Sequence, residues 1–159
     1  MPKGAISRVE LRDVNVADLP AFFRIQSDPD ANRMVVATPR DAAEFDAQWA
    51  RILSDPTIIA KAILADEVLV GHITCHKMDG RDFVGYWIAK EHWNRGIATA
   101  ALALLLKQVV IRPLHARVAR SNAASIRTLE KCGFTITSGQ TFPASDHFPE
   151  CERVILTLI

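Results

Sequence analysis

The chain has 159 residues, 49% of them hydrophobic and 23% charged, with a formal net charge of +1. That length and balance predict one globular domain over 1–159, with a core large enough to stand without disulfides. The near-neutral charge gives no reason to expect nucleic acid or a membrane as a partner. Cys75, Cys132 and Cys151 are too few and too scattered to suggest a disulfide framework or a metal site. The N-terminus lacks a signal-peptide core and no apolar run approaches the roughly 20 residues that span a bilayer, so a cytoplasmic protein is expected.

Ala5 to Leu11 alternates in the manner of a first strand. Asp18 or Asn15 then caps a helix through Phe22, Phe23 and Ile25, with Pro20 in its first turn. The cluster from Ser27 to Asn32 reads as a turn. Thr38 caps a second helix with Pro39 as its first residue and Phe45, Trp49 and Ile52 on its buried face, and Asp55-Pro56 ends it. Thr57 to Ala65 and Val68 to Lys77 predict a hairpin across Asp66-Glu67.

A central strand follows from Phe83 to Ala89. Lys90 to Thr99 forms a loop around Gly96, and an Ala- and Leu-rich helix runs on to Val110 with Leu102, Leu105, Leu106 and Val109 spaced for one face. Pro113 to Arg120 alternates as a fifth strand, with Leu114, Ala116 and Val118 on one face and His115, Arg117 and Ala119 on the other. Asn122 caps a helix of Ala123 to Lys131 that ends at Gly133. Phe134 to Thr141 and Arg153 to Ile159 complete the sheet, joined by a loop with two prolines. The expected class is α+β: a mixed, mostly antiparallel sheet of six or seven strands flanked by helices.

The strand–glycine turn–helix passage from Phe83 to Val110 is a layout that cradles phosphate. N–H groups at a helix start lack partners and sit at the positive end of the helix dipole. It is neither a P-loop nor a dinucleotide fingerprint, since both glycine patterns are absent. Trp93-Asn94-Arg95-Gly96-Ile97-Ala98 resembles the pyrophosphate loop of the GNAT superfamily of N-acetyltransferases, written Arg/Gln-x-x-Gly-x-Gly/Ala, with Trp93 departing from the usual Arg or Gln. Asn122 to Phe134 resembles the same family's next motif. With Gly85-Tyr86-Trp87-Ile88, the passage is similar to the branch that contains the ribosomal-protein N-terminal acetyltransferases.

The resemblance implies acetyl-CoA as co-substrate, no metal, and an amine acceptor that is a protein N-terminus or a small molecule; a homodimer is compatible with it. It implies that the N–H groups of Asn94, Arg95, Gly96, Ile97, Ala98 and Thr99 hold the pyrophosphate, that Trp87, Ile88 and Ala89 pair with the pantetheine arm through their backbone, and that Asn122 faces that arm while capping its helix. Acetyl transfer must deprotonate the amine, stabilise an oxyanion and protonate the departing thiolate. Leu129 stands where many members carry the Tyr that supplies that last proton, which leaves Ser125 as the expected substitute. Phe83 and Val84 stand where members often have a basic Glu. Glu152 matches an acidic position of the branch and is the expected base, with His76, His147 or water as alternatives. A non-catalytic acyl-CoA-binding module, or a domain whose loop binds nothing, are the competing readings.

Overall fold

Seven strands, five α-helices and two single-turn 3-10 helices (Val16–Asp18 and Lys90–His92) account for the regular structure of residues 6–159, which the computed structural model describes. Ala5, the first residue of the predicted opening strand, lies outside the described residues. The strands are β1 (Val9–Asp13), β2 (Ile59–Ala65), β3 (Val68–Met78), β4 (Arg81–Ile88), β5 (Leu114–Ala119), β6 (Thr135–Phe142) and β7 (Cys151–Leu158). The helices are α1 (Leu19–Ser27), α2 (Pro29–Val35), α3 (Ala42–Ser54), α4 (Ile97–Gln108) and α5 (Ala123–Lys131). The sheet order is β1-β2-β3-β4-β5-β7-β6, and every neighbouring pair is antiparallel except β4 with β5.

Two helix starts differ from the expectation. The Ser27–Asn32 cluster is not an open turn but the junction of α1 and α2: Ser27 ends α1, the Asp28 side chain accepts from the Ala31 N–H to cap α2, and Pro29 supplies a pre-set first-turn φ. The second long helix begins at Ala42 rather than Pro39. Asp41 and Glu44 form a reciprocal capping box there, which satisfies two backbone N–H groups where a Thr38 cap would satisfy one.

Strand alternation sorts the side chains onto two faces. Ile73 and Cys75 of β3, Val84 and Ile88 of β4, Leu114 and Ala116 of β5, and Val154 and Leu156 of β7 form one core with Ile97, Ala101, Leu102 and Leu105 of α4 and Leu129 of α5. On the other face Phe22, Phe45 and Trp49 of α1 and α3 pack against Ala62 of β2, with His72 of β3 in ring contact with both Phe22 and Trp49. The helices that would hold the loop's ligand therefore lie on one side, and α1–α3 lie on the other.

The parallel pair is short. β4 and β5 are in register only at Asp82 with Leu114 and Phe83 with His115, and then diverge. On its other edge β4 stays paired to β3 as far as Ile88 with Gly71. A Cβ on Gly71 would lie 2.0 Å from the Trp87 carbonyl oxygen, so glycine is required for β3 to hold the end of β4 that closely. The fork between β4 and β5 is the opening from which the site is built.

Candidate active site

A cleft of about 770 Å³ occupies the fork and passes between the two sheet faces. Val84 to Ile88 and Ala116 to Ala119 form its walls, with Gly96 to Thr99 and Asn122 to Thr128 at one side and α2, α3 and Phe148 at the other. Ala89 donates its N–H to Val70 on β3, so the alternation of the strand turns the N–H and C=O of Ile88 the opposite way, toward the fork. Apart from the Ile88 carbonyl, which the Trp93 indole occupies, the β4 backbone thus offers an open edge within the cleft, suited to an extended amide-bearing ligand.

The loop before α4 is shaped by two left-handed residues, Asn94 at φ 61° and Gly96 at φ 76°. Gly96 occupies the N-cap of α4, where no side chain caps the helix. Its carbonyl accepts from Ala100, and the first-turn N–H groups before that have no intrahelical acceptor. Gly96, Ile97, Ala98 and Thr99 all line the cleft, as do Asn94, Trp87, Ile88 and Asn122; Ala89 and Arg95 do not. The Arg95 guanidinium lies 3.0 Å from His92 Nδ1. A Cβ on Gly96 would meet only open space, so the chain itself needs glycine there for φ rather than for room. Trp93, the departure from the family pattern, donates its indole N–H to the Ile88 carbonyl at 2.8 Å and so ties the loop to the end of β4.

Asn122 is buried and accepts from the Ser125 N–H at 3.2 Å, the cap its position predicts. Ser125 Oγ in turn lies 2.8 Å from the hydroxyl of Tyr86. This contact was not legible beforehand, although the alternation of β4 does put Tyr86 on the helix side with Val84 and Ile88. Burial raises the Tyr86 pKa above its usual value, outweighing the hydrogen bonds to Ser125 and Thr128 that act in the other direction. The phenol therefore keeps its proton at neutral pH. Leu129 is fully buried beneath this pair.

The predicted bases fare differently. Glu152 forms an ion pair with Arg120 and is not among the residues lining the cleft. Its neighbour Arg153 takes the cleft-facing position, and strand alternation sends Glu152 the other way. His147 is also outside the cleft, with Nε2 at 2.9 Å from Glu44 Oε2. His76 lines the cleft directly opposite Phe83 in the β3–β4 register, beside the position where a basic Glu was expected. Burial, then Arg51 and Arg117, lower its pKa, so its imidazole is neutral at pH 7. His72 is more deeply buried, and desolvation takes its pKa down to about 3. Trp49 donates to Gln26 Oε1 and His72 Nε2 lies 3.1 Å from the same oxygen, so Nε2 carries the hydrogen and Nδ1 is a buried acceptor without a partner. Among the described residues no group of three or more His, Cys, Asp or Glu could hold a metal ion.

An α+β sheet forked between two parallel strands carries an uncapped helix start at the fork, a geometry suited to an extended anionic ligand. Residues 8–135 match the family model described as the acetyltransferase (GNAT) domain, and the chain belongs to that family of acyltransferases. It is 31% identical over 144 residues to an L-methionine sulfoximine/L-methionine sulfone acetyltransferase of Pseudomonas paraeruginosa, covering 82% of this chain and 81% of the relative. It is 32% identical over 93 residues to a putative ribosomal N-acetyltransferase, YdaF, of Bacillus subtilis, covering 54% and 51% of the two chains. Mycobacterium smegmatis RimJ in complex with CoA-disulfide shares the fold at a TM-score of 0.77 and 21% identity, over 94% of this chain and 81% of that one. Vibrio cholerae spermidine N-acetyltransferase, in complex with CoA and spermine, does so at 0.78 and 16%, over 95% and 96%.

Proposed function

We propose that the protein transfers the acetyl group of acetyl-CoA to a primary amine, carried by a small molecule or by a protein N-terminus. The observation that bears most weight is the uncapped start of α4 after a left-handed Gly96, opening onto the unpaired edge of β4. In this reading the first-turn N–H groups bind the pyrophosphate. The pantetheine arm pairs with the fork-side backbone of β4, at Tyr86 and at the Ile88 N–H rather than at Trp87, whose backbone faces β3, and this leads the thioester to the centre of the fork. Structural neighbours whose descriptions include CoA or acetyl-CoA support the choice of donor.

The neutral amine nitrogen attacks the thioester carbon, forming the C–N bond and an oxyanion. Collapse of that intermediate breaks the C–S bond, and the electron pair leaves with the thiolate. His76, neutral at pH 7 and on the face opposite the donor helices, accepts the proton that the amine gives up, directly or through water. Ser125 donates a hydrogen bond through its hydroxyl to the departing thiolate, which takes its proton from solvent water. Tyr86 stands behind Ser125 as the donor that frees the serine hydrogen to point at the thiolate.

The test is thiol release from acetyl-CoA with a panel of amino acids, N-terminal peptides, polyamines and aminoglycosides. Methionine sulfone is a natural first probe, since a relative acts on it. CoA raises the melting temperature because a ligand that binds only the folded form stabilises it. The absence of any shift at millimolar CoA overturns the donor-site assignment. A shift without turnover of any amine makes the protein an acyl-CoA-binding module instead.

A further inference from the structure

We propose that the acceptor is an amine that also carries a carboxylate, and that Arg40, Arg117 and Arg153 form the subsite that receives it. The inference rests on the acetyltransferase reading and narrows its substrate class.

The first observation is the charge of the cleft. Five cationic side chains line it, Arg40, Arg117, Arg127, Lys131 and Arg153, and among the described residues no Asp or Glu does. The two faces of the sheet divide these five. Arg127 and Lys131 belong to α5, on the face where α4 presents its N–H groups, and there they suit the phosphates of the donor. Arg117 and Arg153 alternate with Ala116 and Val154, whose side chains are in the α4–α5 core, so both arginines project to the opposite face. Arg40 comes from the segment between α2 and α3 on that same face. The donor's phosphates therefore do not explain these three.

The second observation is how they are held. Arg153 is only 7% exposed, and its guanidinium donates to the carbonyls of Val35 at 3.1 Å and Val36 at 2.9 Å and lies over the Phe148 ring. Among the described residues it has no carboxylate partner. Arg117 lies over the Phe142 ring, and neither it nor Arg40 makes an ion pair among the described residues. Desolvation lowers the pKa of both, followed for Arg117 by the proximity of Arg153; Asp79 acts on Arg117, and Glu44 on Arg40, in the opposite direction. Neither acid lines the cleft. The acids that act on Arg117 and Arg40 stay outside the cleft, and Arg117 and Arg153 repel one another within it, so a carboxylate arriving there is favoured.

The same field decides against other acceptors. A polyamine would bring further positive charge into a cationic cleft with no acidic group to meet it. For a monoamine the field favours the neutral, nucleophilic form over the ammonium ion. A carboxylate anchored on the arginines offsets the repulsion while its amine reaches the fork.

The test uses matched acceptors at saturating acetyl-CoA. One arm pairs methionine sulfone with its carboxamide, the other pairs Asp- with Asn-initiated tripeptide amides, and spermidine is the polycation control. In at least one arm the acidic member is expected to exceed its neutral partner in kcat/KM by tenfold or more, the arm identifying a free amino acid or a peptide as the source. Arg117→Gln and Arg40→Gln should each cut that ratio at least fivefold while CoA still raises the melting temperature. Parity in both arms, a preference for spermidine, no reaction with any acidic amine, or an unchanged ratio in both variants overturns the inference. Failure of CoA to stabilise the wild-type protein instead overturns the acetyltransferase reading on which it stands.

Discussion

Ser125 and Tyr86 show how much of the chemistry turns on single atoms. Ser125→Ala should lower kcat about 10- to 100-fold with little change in CoA affinity, the low end of what general acid catalysis contributes, because a serine hydroxyl is a weak donor. Tyr86→Phe keeps the ring that fills the space and removes only the hydroxyl 2.8 Å from Ser125. One hydrogen bond is worth about 1 kcal/mol, so kcat should fall about fivefold. The two effects should not add in the double variant, since both act through one donor chain; full additivity in steady-state rates would show that Tyr86 works elsewhere. Gly96→Asp is expected to abolish CoA binding by calorimetry, for two reasons: an aspartate strains φ 76° and its carboxylate repels the pyrophosphate. Near-normal CoA affinity in a folded Gly96→Asp would remove the donor site from this loop.

At the scale of elements, the fork depends on how β4 is clamped. Gly71 lets β3 approach its end from one side, and the Trp93 indole holds the Ile88 carbonyl through the loop that follows. Gly71→Ala forces the backbone apart at the strand's last pair. Overpacking of this kind costs about 1–3 kcal/mol, which for a chain of this size is a fall of roughly 2–12 °C in Tm. The CoA-induced shift should shrink with it, because the displaced backbone is the one expected to pair with the pantetheine arm. A Gly71→Ala protein with unchanged Tm would show that the strand adjusts freely. The prolines and capping residues act at this scale too. Asp28, Asp41 and Asn122 each start a helix whose first residues line the cleft or sit beside it.

For the whole molecule, buried imidazoles make stability a function of pH. The folded pKa of His72 is depressed from its ordinary 6.5 to about 3, and those of His76 and His115 are also lowered, each chiefly by burial. Below pH 6.5 the unfolded chain binds protons that the folded chain refuses, so the folded state loses stability as pH falls through the window from 6.5 to about 3. The His72 contribution has a slope of at most about 1.4 kcal/mol per pH unit. His72→Phe, which keeps a ring against Phe22 and Trp49, should flatten the acid limb of a denaturation series. A limb of unchanged slope would assign the acid sensitivity to other groups.

The sequence by itself determined what is local. The glycine turn at Gly96, the Asn122 cap, the stop of α5 before Gly133 and the two faces of β5 follow from steric and hydrogen-bonding preferences over a few residues, and they outline the loop and helix start proposed to hold the donor. The tertiary structure decided what distant segments meet. Tyr86 and Ser125 are 39 positions apart, and only the packing of α5 on β4 joins them. In the sequence Glu152 is the expected base and Arg153 only the start of the last strand, but the orientation of β7 gave the cleft to the arginine and sent the glutamate to Arg120. Arg40, Arg117 and Arg153 are unremarkable in a chain of net charge +1. Their charge becomes the proposed carboxylate subsite only because β5, β7 and the α2–α3 segment place them on one face, with no described Asp or Glu lining the cleft.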